Sequence, residues 1–162
     1  MKVTFGGNPV ELVGTEIHVG DTVADFSAMN NDLSPFKLSS IKGKKLIVGV
    51  PSLDTSICDA EVRRFNQEAT SLDDVTVIVV SMDLPFAQQR WCGAAGVENV
   101  ITVSDFKDKD FAHTFGTYLP QHGLIARSIF LLDSNNTVQY VEYVPEVKSH
   151  PNYEAALEAV RR

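Results

Sequence analysis

At 162 residues, with 44% hydrophobic and 22% charged residues, the chain is sized for one packed core and departs from both disordered and coiled-coil compositions. A net charge of -7 argues against a nucleic-acid partner, because phosphate backbones are held by clustered Lys and Arg, and pairs such as Arg63-Arg64 and Arg161-Arg162 read as solvated surface. Met1 to Gly7 lacks the apolar stretch of a secretory signal and no run approaches the ~18 apolar residues that span a bilayer, so the expectation is a cytoplasmic protein with no membrane contact.

In chain order, Lys2 to Phe5 and Glu11 to Val13 flank Gly6-Gly7-Asn8-Pro9, turn formers that predict a small amino-terminal β-hairpin at the edge of the fold. Asp25 to Lys42 reads as a polar loop. Lys45 to Val50, bounded by Pro51, is an unbroken apolar run and predicts a buried strand. From Asp59 to Ala69 the spacing of Val62, Phe65 and Ala69 predicts a helix with acidic residues in its first turn and Thr55 as its cap.

Val75 to Val80 predicts a second buried strand, Pro85 to Ala95 a helix ending near Gly96, and Val100 to Val103 a short strand. A helix from about Asp108 to Phe115, stopped by Gly116, precedes the strand Ser128 to Asp133. Ser134-Asn135-Asn136 turns the chain into Thr137 to Val144. Tyr153, Ala156, Leu157 and Val160 share one face of a final helix from about Asn152.

Alternating strands and helices followed by a hairpin and a helix predict an α/β fold: a thioredoxin-like mixed sheet flanked by helices, in a single domain over residues 1–162. Reactive groups in such sheets gather beyond the carboxyl ends of the parallel strands. Cys58 follows the strand ending at Val50 and Cys92 the strand ending at Val80, which places both at that edge.

Two cysteines are too few for a disulfide scaffold. Cys58 falls at a helix start, where free N–H groups and the positive dipole end favour a thiolate. From placement alone it reads equally as a nucleophile or as a small buried hydrophobe. Cys92, beside Trp91, reads as packing. His18, His113, His122 and His150 are too scattered for a zinc site, and no glycine pattern indicates a nucleotide, so neither metal nor cofactor is expected.

The segment Pro51-Ser52-Leu53-Asp54-Thr55-Ser56-Ile57-Cys58 and its continuation Asp59 to Phe65 resembles the peroxidatic segment of the peroxiredoxins, with a Pro-x-x-x-Thr-x-x-Cys core. Together with the amino-terminal hairpin, Arg90-Trp91-Cys92 and Ala126-Arg127-Ser128, it looks like the bacterial thiol peroxidases, the atypical two-cysteine peroxiredoxins. Ser56 departs from the proline that many members carry there, which affects loop stiffness more than chemistry. The resemblance implies an antioxidant enzyme that reduces hydrogen peroxide and organic hydroperoxides. In it Cys58 is the peroxidatic residue, Cys92 the resolving one, and Thr55 and Arg127 complete the site, with Pro51 shielding the thiolate. It also implies a Cys58–Cys92 disulfide, thioredoxin as reductant and a homodimer.

Leu53, Phe86 and Leu119 are apolar candidates for favouring alkyl hydroperoxides. Two other readings stay open: a thiol–disulfide reductase, disfavoured by the missing Cys-x-x-Cys, and a redox-sensing interaction protein whose surface changes on oxidation.

Overall fold

A computed structural model describes residues 1–72 and 74–162 of the chain. The amino-terminal hairpin pairs β1 (Lys2–Phe5) with β2 (Asn8–Glu11). Its turn is Gly6-Gly7 alone, at φ 60° and 84°, the two-residue geometry whose twist matches that of the strands it joins. Asn8 and Pro9 therefore belong to the second strand and not to the turn. Proline is tolerated there because β2 is an edge strand with an unpaired side.

Residues 25–42, expected as loop, contain β3 (Ser27–Met29), β4 (Pro35–Lys37) and a 3-10 turn over Leu38–Ser40. Strands of three residues are too short to show an alternation in sequence. Buried Phe26, Phe36 and Leu38 anchor this segment to the core.

β5 (Lys44–Gly49), α1 (Ser56–Ala69), β6 (Val75–Ser81), α2 (Pro85–Ala95) and β7 (Ile101–Ser104) follow as expected within a residue or so, except that α1 starts three residues earlier than its periodic stripe. α3 (Asp110–Thr114) is shorter than its sequence pattern. The two-residue strands β8 (Tyr118–Leu119) and β9 (Leu124–Ile125) pair with each other and have no sequence signature. β10 (Ser128–Leu132), β11 (Val138–Tyr143) and α4 (Tyr153–Arg161) close the chain.

Among the described residues the main sheet runs β11-β10-β5-β6-β7-β3-β4. β5, β6 and β7 are parallel, and β10 is antiparallel to β5. This is the mixed thioredoxin-like arrangement, with the hairpin attached beside it. The period-2 alternation of the strands sorts their side chains onto two faces. Leu46, Val48, Val77, Val79, Ile129 and Leu131 face α1, α4 and part of α2. Ile47, Ile78, Val80, Val103, Phe130 and Leu132 face α3 and the 17–38 segment, where Phe26, Phe111 and Phe115 pack edge-on and stacked. Among the described residues no helix is long and apolar enough to cross a membrane.

Candidate active site

The register of β10 against β5 sets Ser128 opposite Gly49, so Arg127 enters at the edge where β5 ends and the chain turns through Val50 and Pro51 into α1. A Cβ on Gly49 would lie 2.6 Å from Ser128 Oγ, so any other residue there would force the Ser128 side chain to move. Cys58 is in the first turn of α1, fully buried. The Thr55 hydroxyl oxygen caps the helix by accepting from the Cys58 N–H at 3.3 Å, and its own proton points to the Ser52 carbonyl at 3.3 Å. Thr55 thus fixes the backbone of Cys58.

Arg127 is 2% exposed, and its guanidinium is spread over three partners. Nη2 donates to Cys58 Sγ at 3.3 Å, Nη1 to Glu61 Oε2 at 2.5 Å and Nε to the Val147 carbonyl at 2.8 Å. The rigid plane of the group makes these contacts interdependent. Burial pushes the Glu61 carboxyl up to about 7, against the pull of Arg127. Burial also works against the charge on Arg127, but Glu61 and Cys58 together raise it above its ordinary value, so it stays cationic. Glu61 Oε1 has no hydrogen-bond partner among the described residues. The arrangement sets a sulfur at a helix start with a fixed cation beside it, a geometry able to take up negative charge on a departing atom.

Next to the sulfur is an open pocket of about 410 Å³, lined by Phe5, Pro51, Thr55, Ser56, Ile57, Arg127, Val147 and Lys148. Two of its lining residues, Thr55 and Arg127, hydrogen-bond Cys58. The amino-terminal hairpin completes this wall: Thr4 exchanges backbone hydrogen bonds with Pro145 and Val147, both at 2.8 Å. The Glu146 carboxylate gathers the N–H groups of Lys148, Gly7 and Gly6 and the Thr4 hydroxyl at 2.7–3.0 Å. Those hydrogen bonds, led by that from Lys148, hold Glu146 down at about 2. The hairpin is thereby tied to the loop whose Val147 carbonyl fixes Arg127.

On the opposite side, Asp83 accepts from Ser52 Oγ at 2.7 Å, from the Leu53 N–H at 2.8 Å and from Ser81 Oγ at 2.8 Å. It pins the loop leading into α1 to the end of β6. A larger pocket of about 720 Å³, lined by Leu53, Leu84, Phe86 and Trp91 among others, opens along α2 and does not include the Cys58 surroundings.

Cys92 is the eighth residue of α2, about 10 Å along the axis from a start at the reactive edge. Its sulfur lies 3.5 Å from Thr102 Oγ1 on β7, in a groove with Asn30 and Asn31. Arg127 immediately precedes β10, and β7, which carries Thr102, lies three strand positions from β10 in the sheet, about 14 Å across at ordinary strand spacing. The expectation that both cysteines sit at the carboxyl edge is therefore corrected: only Cys58 does, because helix length carries Cys92 back over the sheet. Both are free thiols here.

Residues 18–157 match the Redoxin family model. The chain is 51% identical over 161 residues to the thiol peroxidase of Bacillus subtilis (strain 168), covering 99% of this chain and 96% of that one. It is 48% identical over 160 residues to the thiol peroxidase of Streptococcus pneumoniae, with 98% of each chain covered. The chain belongs to the bacterial thiol peroxidases. Among solved structures, a peroxiredoxin-like protein from Aquifex aeolicus superposes with a TM-score of 0.92 at 37% identity, covering 99% of this chain and 95% of that one. A thiol peroxidase from Chromobacterium violaceum shares the fold with a TM-score of 0.90 at 22% identity and the same coverage.

For a thiol peroxidase, Cys58, Thr55 and Arg127 form one connected cluster, while Cys92 stands outside it. Glu61, Val147 and Asp83 are contributors that motif reading passed over. Glu61 had a signal: it lies on the same helical face as Cys58, Val62 and Phe65, the buried stripe of α1, and a carboxylate on a buried face needs a cation. Val147 and Asp83 had none, since a backbone acceptor and a loop carboxylate look alike everywhere. Leu53, Phe86 and Leu119 do not line the Cys58 pocket; Leu53 and Phe86 line the larger one, and Leu119 packs under the hairpin.

Proposed function

We propose that Cys58 is the peroxidatic cysteine of a peroxidase that reduces hydrogen peroxide and organic hydroperoxides. The observation that supports this most is the Cys58 Sγ to Arg127 Nη2 contact at 3.3 Å on a helix capped by Thr55. The thiolate attacks one peroxide oxygen: the S–O bond forms, the O–O bond breaks, and the departing hydroxide or alkoxide takes a proton to leave as water or alcohol. Arg127 stabilises the charge on that oxygen, and Thr55, on the pocket wall, orients the incoming peroxide once its hydroxyl turns from Ser52. Pro51 keeps bulk water off the sulfur.

Cys58 is left as a sulfenic acid. Cys92 then attacks its sulfur, the S–S bond forms, the S–O bond breaks and water leaves. Thioredoxin reduces the disulfide by exchange, and the enzyme works as a cytoplasmic homodimer of one thioredoxin-like domain per chain. The apolar pocket side chains Phe5, Ile57 and Val147 suit an alkyl group on the hydroperoxide.

The test is intact mass after one equivalent of hydroperoxide, paired with thioredoxin-coupled turnover. The native chain is expected to lose the mass of two hydrogen atoms, Cys58→Ser to consume no peroxide while staying folded, and Cys92→Ser to react once, accumulate sulfenic acid and lose most turnover. Peroxide consumption by folded Cys58→Ser would overturn the assignment, and full turnover by Cys92→Ser would leave a one-cysteine mechanism.

A further inference from the structure

Directly after Cys58 stands Asp59, and directly before Cys92 stands Trp91. Trp91 Nε1 donates to Asp59 Oδ1 at 2.8 Å. The second carboxylate oxygen takes Arg63 Nε at 2.9 Å, and Arg63 in turn lies over the Trp91 ring at 5.7 Å and reaches the Ala95 carbonyl of α2 at 3.4 Å. These contacts join the first turn of α1 to the last turns of α2. Successive residues of a helix point about 100° apart, which is why Trp91 packs against the core cluster holding Cys58 while Cys92 turns to Thr102 on β7.

A Cys58–Cys92 disulfide needs the two sulfurs turned toward each other with Cα atoms within about 7 Å, whereas here Cys58 Sγ meets Arg127 and Cys92 Sγ meets Thr102 on β7. One segment or both must unwind. Whichever does, it carries one partner of the Asp59–Trp91 bond with it, because each partner is the chain neighbour of a cysteine. The bond exists only while both helices are wound.

We propose that Asp59 and Trp91 form the latch that sets the rate of the disulfide-forming step, as positioning residues that touch neither peroxide nor sulfur. This rests on the reading of Cys92 as the resolving cysteine. The latch holds Cys58 in the wound geometry that meets peroxide, and its opening frees Cys92 to attack the sulfenic sulfur. Weakening it speeds resolution, leaves the first oxidation alone, and shifts the sulfenic acid away from a second peroxide and the sulfinic acid that follows.

The experiment separates the two steps by acid-quenched mass spectrometry after mixing reduced protein with excess hydroperoxide. Trp91→Phe keeps an aromatic ring and removes the N–H donor; it is expected to raise the disulfide-forming rate about fivefold, equivalent to about 1 kcal/mol at 1.36 kcal/mol per tenfold. The first oxidation should stay within about twofold of native and the sulfinic fraction should fall. Asp59→Ala should speed resolution similarly after its own first-step rate is taken into account, and the double variant should add little to either single one. Asp59→Asn, which keeps an acceptor for Trp91, should lie between native and Asp59→Ala.

Urea unfolding of each variant confirms that the fold is retained. A native chain that forms no internal disulfide overturns the role of Cys92 and the latch with it. A native chain that forms one while Trp91→Phe and Asp59→Ala resolve at the native rate, or more slowly, overturns the latch alone. Equal acceleration of both steps, or additive effects in the double variant, also overturns it.

Discussion

Glu61→Gln offers a direct reading of the buried charge network. Glu61 is fully buried, and burial lifts its carboxyl from 4.5 to about 7. The folded protein thus holds this proton more tightly than the unfolded chain does. Its contribution to stability is intact below about pH 4.5 and is lost as pH rises through about 7. The gap corresponds to about 3 kcal/mol once Glu61 is fully ionised, and about 2 kcal/mol of that falls between pH 5 and pH 8.

Glutamine keeps an acceptor for Arg127 Nη1 and has no proton to lose, so its stability curve should lack this slope. Asp105, raised to about 6 mainly by burial, titrates in the same window but is common to both proteins and cancels in the difference. The assay is urea unfolding of reduced protein at one concentration, followed by circular dichroism at pH 5, 6, 7 and 8. Native stability should fall relative to Glu61→Gln by about 2 kcal/mol across that range. A difference that stays constant with pH would refute the assignment of Glu61 as a proton-holding buried group.

Arg127→Lys keeps a charge but cannot reach Cys58, Glu61 and Val147 together, so peroxide oxidation followed by rapid-quench mass should slow by about 10²-fold; a native rate would place the guanidinium outside the reaction. Thr55→Val removes the α1 cap and should cost about 1 kcal/mol in unfolding experiments, with slower oxidation. Thr55→Ser should restore most of both, and equal behaviour of the two variants would show that the hydroxyl has no part.

The sequence by itself determined the parts of this thiol peroxidase whose signals are local. The apolar runs of β5 and β6 announced buried strands, the stripe of Val62 and Phe65 announced α1, and Pro85 with Gly96 bracketed α2, because periodicity and end chemistry act within a few residues. The position of Cys58 was legible for the same reason, since it stands three residues after a threonine at a helix start and a capped helix is a local event. Placement alone read it equally as a nucleophile or a small buried hydrophobe, and the peroxidatic reading came from the family resemblance. Glu61 was half-legible, as a carboxylate on an otherwise apolar face.

Only the tertiary structure decided what Arg127 does. Its reach to Cys58 depends on β10 pairing with β5 so that Ser128 meets Gly49, a contact between residues 79 positions apart in the numbering. The hairpin was readable as a hairpin, but its place in the pocket wall came from Glu146 and Val147 at the far end of the chain. Cys92 shows the limit most clearly. Sequence put it after the right strand, yet a helix advances about 1.5 Å per residue and turns about 100° each time, so seven residues of α2 carried its sulfur onto β7 and left Trp91 facing Asp59. Which side chains meet across a sheet is a property of packing, and packing is settled only when all the strands are in place.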